Sequence, residues 1–163
     1  MNIKIKIKKA DQFTIPRVAQ LTLKTNQFNL TTHRYQEEDI TKFSNDNKML
    51  VESAQVEDKF GDNGITGAFI VRKDNSTEWT IDTFLLSCRV MGRKVEDTMM
   101  SYILNEAKKH GVRKVMAQYI PTQKNKPCET FLPDYGFKKD GEYWTYDTNN
   151  DVKMPAHISL ESE

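Results

Sequence analysis

The chain has 163 residues, of which 29% are charged and 37% hydrophobic. This length is typical of one domain, and no apolar run approaches the roughly 20 residues that a membrane-spanning helix needs. The 24 basic and 23 acidic residues leave a formal net charge of +1, which excludes a global field able to hold a nucleic acid. We therefore expect one soluble domain with neither a membrane span nor a nucleic-acid partner, in which any phosphate is bound locally.

The N-terminal half predicts a strand, two helices and a meander. Residues 1–13 alternate lysine with isoleucine, which favours a half-buried edge strand over a polybasic membrane patch. Thr14, Ile15 and Pro16 suit the start of a helix over about 15–25, and an acidic first turn favours a second helix from Glu37 to Phe43. Strand patterns follow at 49–58, 64–73 and 77–87, separated by turn residues.

The C-terminal half begins with the clearest helix of the sequence. From about residue 94 apolar side chains recur at helical spacing, and Gly111 follows the last lysines. A strand at 112–120, a loop with a short helix ended by Gly136, and a strand at 141–147 complete the pattern. These elements predict one domain over 1–150 and a C-terminal tail over 151–163.

The two cysteines predict a cytoplasmic protein without a metal site. Cys88 and Cys128 lie 40 positions apart (128 − 88), and neither belongs to a CxxC pair or a histidine cluster. Such isolated thiols are typical of a reducing compartment and lack the ligand spacing of zinc sites.

Three segments carry a family resemblance. Asn125 is followed by Cys128, by Phe131 with Leu132, and by Gly136 with Phe137. These intervals resemble the ending of the GCN5-related N-acetyltransferases (GNAT). Segments 17–32 (RVAQLTLKTNQFNLTT) and 82–97 (DTFLLSCRVMGRKVED) are similar to the C-terminal GNAT-like part of FkbH-like proteins. The resemblance implies an α/β (α+β) fold with a mixed, mostly antiparallel sheet, flanking helices and a splayed pair of parallel strands.

The same resemblance implies partners. FkbH-like proteins carry an upstream haloacid-dehalogenase-type (HAD) domain that helps to load a glyceryl unit from a phosphorylated three-carbon donor onto an acyl carrier protein. We therefore expect coenzyme A or phosphopantetheine in its acyl form as cofactor, and acyl-CoA or an acyl carrier protein as partner. The printed sequence starts where the GNAT-like part would start, so the chain is either an excised domain or a stand-alone relative.

The loop at 89–94, RVMGRK, resembles the GNAT loop Arg/Gln-x-x-Gly-x-Gly/Ala, which binds the CoA pyrophosphate at a helix N-terminus. Arg89 and Gly92 match this motif, whereas Lys94 stands where the second small residue is expected. Free N–H groups and the helix dipole favour an anion there, and Arg89, Arg93 and Lys94 add positive charge. A register shifted by two residues would instead place Lys94 and Glu96 at the small-residue positions. The alternative interpretation is a solvated basic loop.

A pantetheine path follows from the resemblance as well. Asn125 is expected to lie across the splay from Leu86 and Ser87, whose backbone groups would pair with the pantetheine arm as an added strand does. The alternative role of Asn125 is that of a turn residue before Pro127.

Three residues are candidates for the chemistry of transfer. Asp82, on the strand that enters the loop, is the best-placed base, although it could equally face solvent. Leu132 stands where GNAT enzymes usually have the acid Tyr, so Tyr135 is the substitute candidate unless it is a packed aromatic residue. Cys88 beside Arg89 and a helix N-terminus could relay an acyl group, or could be an ordinary packed thiol.

The acceptor side of the cleft is predicted between the first two helices. The candidate substrate-binding residues there surround one aromatic anchor with polar groups: Lys24, Asn26, Gln27, Phe28 and Asn29. Their alternative role is a hydrogen-bonded loop. Two functions stay open from the sequence. One is a GNAT-type acyltransferase acting by direct attack in a ternary complex, and the other is a non-catalytic module that docks a carrier protein or the HAD domain.

Overall fold

The computed structural model describes residues 2–152 and 154–163. Its helices are α1 (Ile15–Lys24), α2 (Glu37–Ser44), α3 (Val95–Lys109) and α4 (Phe131–Tyr135). Its strands are β1 (Ile3–Lys9), β2 (Phe28–Asn29), β3 (Met49–Asp58), β4 (Gly61–Lys73), β5 (Glu78–Leu86), β6 (Lys114–Ala117), β7 (Lys138–Asp140), β8 (Tyr143–Asp147) and β9 (Ile158–Ser162). None of the helices among these residues is long and apolar enough to span a bilayer.

The strands form one sheet in the order β7-β8-β6-β5-β4-β3-β1-β9, and the short β2 pairs with β5 beside this path. Neighbours are antiparallel except for β5 with β6 and β1 with β9. Helix α3 connects β5 to β6, as a parallel pair requires. The predicted mixed, mostly antiparallel sheet with helices on its faces is confirmed.

Two apolar layers cover the sheet. Met99, Ile103 and Phe131 bring α3 and α4 onto one face, together with inward residues such as Phe84. The second cluster joins α1 and α2 to the opposite face. Its buried members are Ile15, Val18, Ala19, Leu21, Ile40, Val51, Ala68, Ile70 and Leu85. Successive residues of a strand point to opposite faces, so Phe84 and Leu85 supply one layer each.

The C-terminal segment differs from the prediction. Within the expected tail at 151–163, β9 pairs in parallel with β1, from Ile3 with Ile158 to Ile7 with Ser162. Strand β1 therefore lies between β3 and β9 and is not the edge strand that its alternating lysines indicate. Its isoleucines Ile3, Ile5 and Ile7 are buried as the alternation predicts. The alternation of lysine and isoleucine predicts which side chains are buried. It cannot predict pairing with a strand about 150 residues later in the sequence.

Candidate functional site

The candidate site lies where β5 and β6 separate. The two strands pair from Glu78 with Lys114 to Ile81 with Ala117, and β5 then continues alone to Leu86. The segment after Ala117 diverges, which leaves the edge of β5 open to another partner over its last residues. The splay inferred from the resemblance is therefore present.

The chain itself fills this splay. Strand β2 pairs antiparallel with the end of β5, with Phe28 opposite Leu86 and Asn29 opposite Leu85. The Leu30 N–H donates to the Phe84 carbonyl at 3.2 Å, and on the other side the Ile120 N–H donates to the Leu30 carbonyl at 2.8 Å. In this conformation β2 holds the place beside Leu86 that the expectation gives to the pantetheine arm.

Asn125 fixes β2 in place. Its side chain is 0% exposed, and its Nδ2 donates to the carbonyls of Asn29 at 3.1 Å and Ile120 at 2.9 Å. Its Oδ1 accepts from the Tyr119 hydroxyl at 3.0 Å and the Thr122 N–H at 2.8 Å. The predicted cofactor contact of Asn125 is therefore not available in this structure. The side-chain amide of Asn125 bridges both sides of the splay, so the alternative role of a turn residue does not describe it fully.

The start of α3 carries an internal anion. Gly92 and Lys94 both have left-handed backbone, with φ of 85° and 69°, and α3 begins directly after Lys94. The side chain of Glu96 folds back, and both of its carboxylate oxygens lie 3.3 Å from the Gly92 N–H. Burial is the main cause that raises the pKa of Glu96. The helix N-terminus that would attract a pyrophosphate thus faces the protein's own carboxylate.

The predicted cations of the loop separate into paired and unpaired groups. Arg93 Nη1 lies 2.7 Å from Asp58 Oδ2, and Lys94 Nζ lies 3.3 Å from Asp97 Oδ2. Arg89 forms no ion pair within the described part of the chain and is exposed. Of the three cations assigned to a pyrophosphate, Arg89 has the charge available for a ligand.

Arg89 lies in a cleft of about 370 Å³ between the end of α1 and the loop after β5. The cleft is lined by Arg17, Leu21, Lys24, Thr25, Asn26, Gln27, Ser87, Cys88 and Arg89. Residues predicted for the acceptor side and for the cofactor side therefore do meet, although on the α1 face of the sheet. Arg17 was not among the predicted residues. Its spacing of seven from Lys24 places both on one side of α1 and could have revealed it.

Phe28 and Asn29 anchor the segment instead of lining the cleft. Phe28 is buried, with ring centroids 5.2 Å from Phe131 and 6.1 Å from Phe84. Asn29 Nδ2 donates to the Thr25 carbonyl at 3.2 Å, and its Oδ1 accepts the Thr32 N–H at 2.9 Å. Both side chains are buried, so the alternative role of a hydrogen-bonded loop describes Phe28 and Asn29.

Asp82 belongs to a polar cluster at the middle of β5. Its Oδ2 accepts from the Tyr35 hydroxyl at 2.8 Å and from the Thr83 hydroxyl at 2.7 Å. His33 Nδ1 lies 3.3 Å from Asp82 Oδ1 and 3.0 Å from the Asp82 carbonyl. Both of these oxygens only accept hydrogen bonds, so Nδ1 carries the proton, and in the neutral ring Nε2 carries the lone pair.

This geometry changes the role of Asp82. The carboxylate is 15% exposed and holds three partners, whereas the His33 side chain is 39% exposed. Asp82 therefore orients His33, which is the more accessible of the two side chains. Burial, followed by the bond to Asp82, raises the pKa of Tyr35, which keeps its hydroxyl a donor. His33 and Tyr35 were not predicted, because their partner lies about 50 residues away in sequence.

Tyr135 and Cys88 have contrasting surroundings. Tyr135 packs against Phe137 and Tyr146, and its hydroxyl lies 2.6 Å from the Ser101 hydroxyl. Burial raises the pKa of Tyr135 to about 12, so it is a packed aromatic residue and a weak acid for a departing thiolate. Cys88 is an exposed free thiol at the cleft, so the packed-thiol alternative does not describe it.

A larger cleft of about 540 Å³ lies on the α3 face, between α3, α4 and the C-terminal segment. Three carboxylates line it, from Asp97, Asp134 and Asp151. The basic side chains in its lining are those of Lys94 and His157. This excess of acidic groups disfavours a phosphate-bearing ligand. The α1-side cleft is the better candidate for such a ligand.

No family model matches the sequence, and no curated protein is recognisably similar to it. Solved structures share its fold. The ribosomal-protein-S18-alanine N-acetyltransferase of Escherichia coli superposes with a TM-score of 0.66 at 10% identity, covering 93% of this chain and 96% of that one. The spermidine N-acetyltransferase of Vibrio cholerae, solved with CoA and spermine, gives 0.66 at 11% identity over 89% and 96%.

A domain from Methanocaldococcus jannaschii gives a TM-score of 0.67 at 15% identity, over 89% of this chain and 97% of that one. These values hold over nearly the whole of each chain, and a GNAT-family structure is among the further matches. The chain therefore has the GNAT fold.

Proposed function

We propose that this domain is a GNAT-type acyltransferase. It takes a small acyl group from the pantetheine thioester of CoA or of an acyl carrier protein, and transfers it to an acceptor by direct attack in a ternary complex. The observation that carries the proposal is the pair of His33 and Asp82, whose contacts hold Nδ1 as the donor, so that Nε2 is the acceptor nitrogen of the neutral ring.

Each step of transfer has a candidate group. The nucleophilic acceptor must lose a proton, and His33 Nε2 accepts it while Asp82 and the carbonyl hold Nδ1. The acceptor then attacks the thioester carbonyl, and the pantetheine thiolate leaves. In the loop at 87–89 the Ser87 N–H donates to the Thr66 carbonyl and the Arg89 N–H faces Ser87 Oγ, so the Cys88 N–H is the candidate to stabilise the oxyanion. Solved proteins of this fold named as N-acetyltransferases, one of them with CoA, support acyl transfer as the reaction class.

The test is a transfer assay with acetyl-CoA and with an acylated carrier protein, read by release of the free thiol. We expect His33→Gln to lower kcat by about 10²–10⁴-fold, the usual contribution of a general base. Asp82→Asn should lower kcat as well, because the amide no longer holds the same tautomer. His110→Gln, an exposed imidazole at the far end of α3, is the matched control.

The split between kcat and KM separates a base from a structural residue. A lowered kcat with an unchanged KM for the donor in His33→Gln is the expected result. Transfer by His33→Gln and His110→Gln at the same rate, or absence of thiol release from every donor, would contradict the proposal.

The second candidate is a non-catalytic module that docks a carrier protein or a HAD-type partner. Three features favour it: β2 in the splay, the Glu96 carboxylate at α3, and the buried Leu132 in the position of the usual acid Tyr. Binding of a carrier protein without thiol release would favour this module. Under both candidates we infer a cytoplasmic location, since both exposed and buried thiols are free.

A further inference from the structure

Three cationic side chains meet in the α1-side cleft without an acidic partner. Arg17, Lys24 and Arg89 line it, and none of its lining residues is an Asp or Glu. Among the described residues the acceptors bonded by Arg17 are neutral, with Nε at 3.1 Å from the Ile65 carbonyl and Nη1 at 2.7 Å from Gln20 Oε1. No ion pair within the described residues involves any of the three cations.

One of the three cations, Arg17, is partly buried, whereas Lys24 and Arg89 are exposed. Burial, and then the nearby charge of Arg89, lower the pKa of Arg17, which indicates that like charges lie close together in a partly desolvated place. Two other arginines are neutralised by carboxylates, Arg72 by Asp74 at 2.7 Å and Arg93 by Asp58 at 2.7 Å. The cleft therefore stores an unbalanced positive charge that an anionic ligand would relieve.

We propose that the α1-side cleft binds a phosphate group through Arg17, Lys24 and Arg89. Guanidinium groups bind phosphate oxygens in a bidentate manner, and an ammonium adds a point charge. The polar side chains of Asn26 and Gln27 at the same cleft supply neutral donors. A volume of about 370 Å³ lies within the range of small-ligand sites, which is ~300–1,000 Å³.

This position differs from the helix N-terminus that the resemblance indicates. At α3 the Gly92 N–H faces the Glu96 carboxylate, and a phosphate there would meet a second negative group. In the α1-side cleft it meets three positive ones. The site rests on this charge arrangement alone, whereas assigning the phosphate to a pantetheine arm rests on the proposed function.

The first experiment is an NMR titration of the whole chain with inorganic phosphate. We expect saturable shifts of the Cys88 and Arg89 amides, and a Kd weakened about tenfold in each of Arg17→Gln, Lys24→Gln and Arg89→Gln. Arg113→Gln removes the same charge from an exposed site outside the cleft and should leave the Kd unchanged. Absence of saturable shifts, or equal weakening by Arg113→Gln, would overturn the site.

Thermal unfolding of the variants guards against an effect through misfolding. Arg89→Gln removes the repulsion on Arg17, so without phosphate its Tm should equal or exceed that of the wild type. Phosphate should raise the Tm of the wild type, and the same concentration should raise that of Arg89→Gln by less. A wild-type Tm that does not respond to saturating phosphate would count against the site.

A matched ligand pair identifies the source of the phosphate. Pantetheine and 4′-phosphopantetheine differ by the phosphate, and both can be compared in protecting the Cys88 thiol from iodoacetamide. Stronger protection by phosphopantetheine, lost in Arg17→Gln, is expected. Equal protection by both would overturn the pantetheine assignment. Because neither readout needs catalysis, a phosphate site can be found even if His33 proves inactive in transfer.

Discussion

Glu52 makes the stability of the fold depend on pH. It lies on β3 with 1% exposure, under α3, and both carboxylate oxygens lie 3.3–3.5 Å from the Tyr102 hydroxyl. Burial raises the pKa of Glu52 to about 7. The hydrogen bond from Tyr102 lowers this pKa, and the nearby charge of Glu106 raises it further. The folded state therefore binds a proton more tightly than the unfolded chain, whose carboxyl has the ordinary value of 4.5.

The direction of the effect follows from this difference. Below pH 4.5 both states are protonated and the stabilisation is fully present, and it is lost as the pH rises through about 7. A shift of this size corresponds to about 3 kcal/mol, with a slope of up to about 1.4 kcal/mol per pH unit. Glu52→Gln cannot titrate, so its free energy of unfolding should exceed that of the wild type by about 2–3 kcal/mol at pH 8 and equal it near pH 4.

Urea unfolding from pH 4 to pH 8.5 measures this difference. Glu57→Gln, which removes an exposed carboxylate from the same strand, is the control and should shift the curve little at any pH. If the wild type and Glu52→Gln differ by a constant amount across the range, the carboxyl does not titrate between the two limits. The reasoning from burial would then be refuted.

Three further outcomes follow from the structure. Lys94→Gly should raise the unfolding free energy by about 0.5–1 kcal/mol in urea, because the left-handed backbone favours glycine, whereas Gly92→Ala should lower it by at least as much. Asn125→Ala should lower it by about 3 kcal/mol, since buried groups on both sides of the splay lose their partner, and a loss under 1 kcal/mol would contradict this. Iodoacetamide should modify Cys88 in the folded protein and Cys128 only after unfolding, because Cys128 is buried and its pKa is raised to about 11; mass spectrometry of the peptides decides.

The elements that carry their own pattern could be predicted from the sequence. Helix α1 was expected at 15–25 and spans Ile15–Lys24, and α3 was expected from about 94 and begins at Val95. Strand β2 was not predicted, because two residues have no periodicity and pair only through distant partners. Strand β9 could not be predicted either, because its partner β1 lies at the opposite end of the sequence.

For the site, the sequence indicated which segments meet but not the role of each side chain. Residues 24–27 and 87–89 do line one cleft. Asn125 and Asp82 are polar residues in suitable places, yet the first holds the backbone and the second orients His33. Residue type gives the hydrogen-bonding capacity of a group, whereas its partner is set by the folded contacts. The cofactor and catalytic assignments stay predictions until ligands are measured.

The occupied splay sets a test for the path of a pantetheine arm. An arm in the splay must displace three backbone-directed bonds at Leu30 and Asn29 and expose Phe28, at a cost of about 5 kcal/mol. Such a cost weakens apparent affinity more than a thousandfold relative to an open cleft. An arm that enters through the α1-side cleft leaves β2 in place.

Hydrogen exchange of the Leu30 amide separates these two paths, because this amide bonds to the Phe84 carbonyl only while β2 is paired. We expect Leu30 to stay protected when CoA is added at saturation. Faster exchange of Leu30 with bound CoA would show that β2 leaves the splay, and the cost of displacing it would then be part of every binding constant measured for this domain.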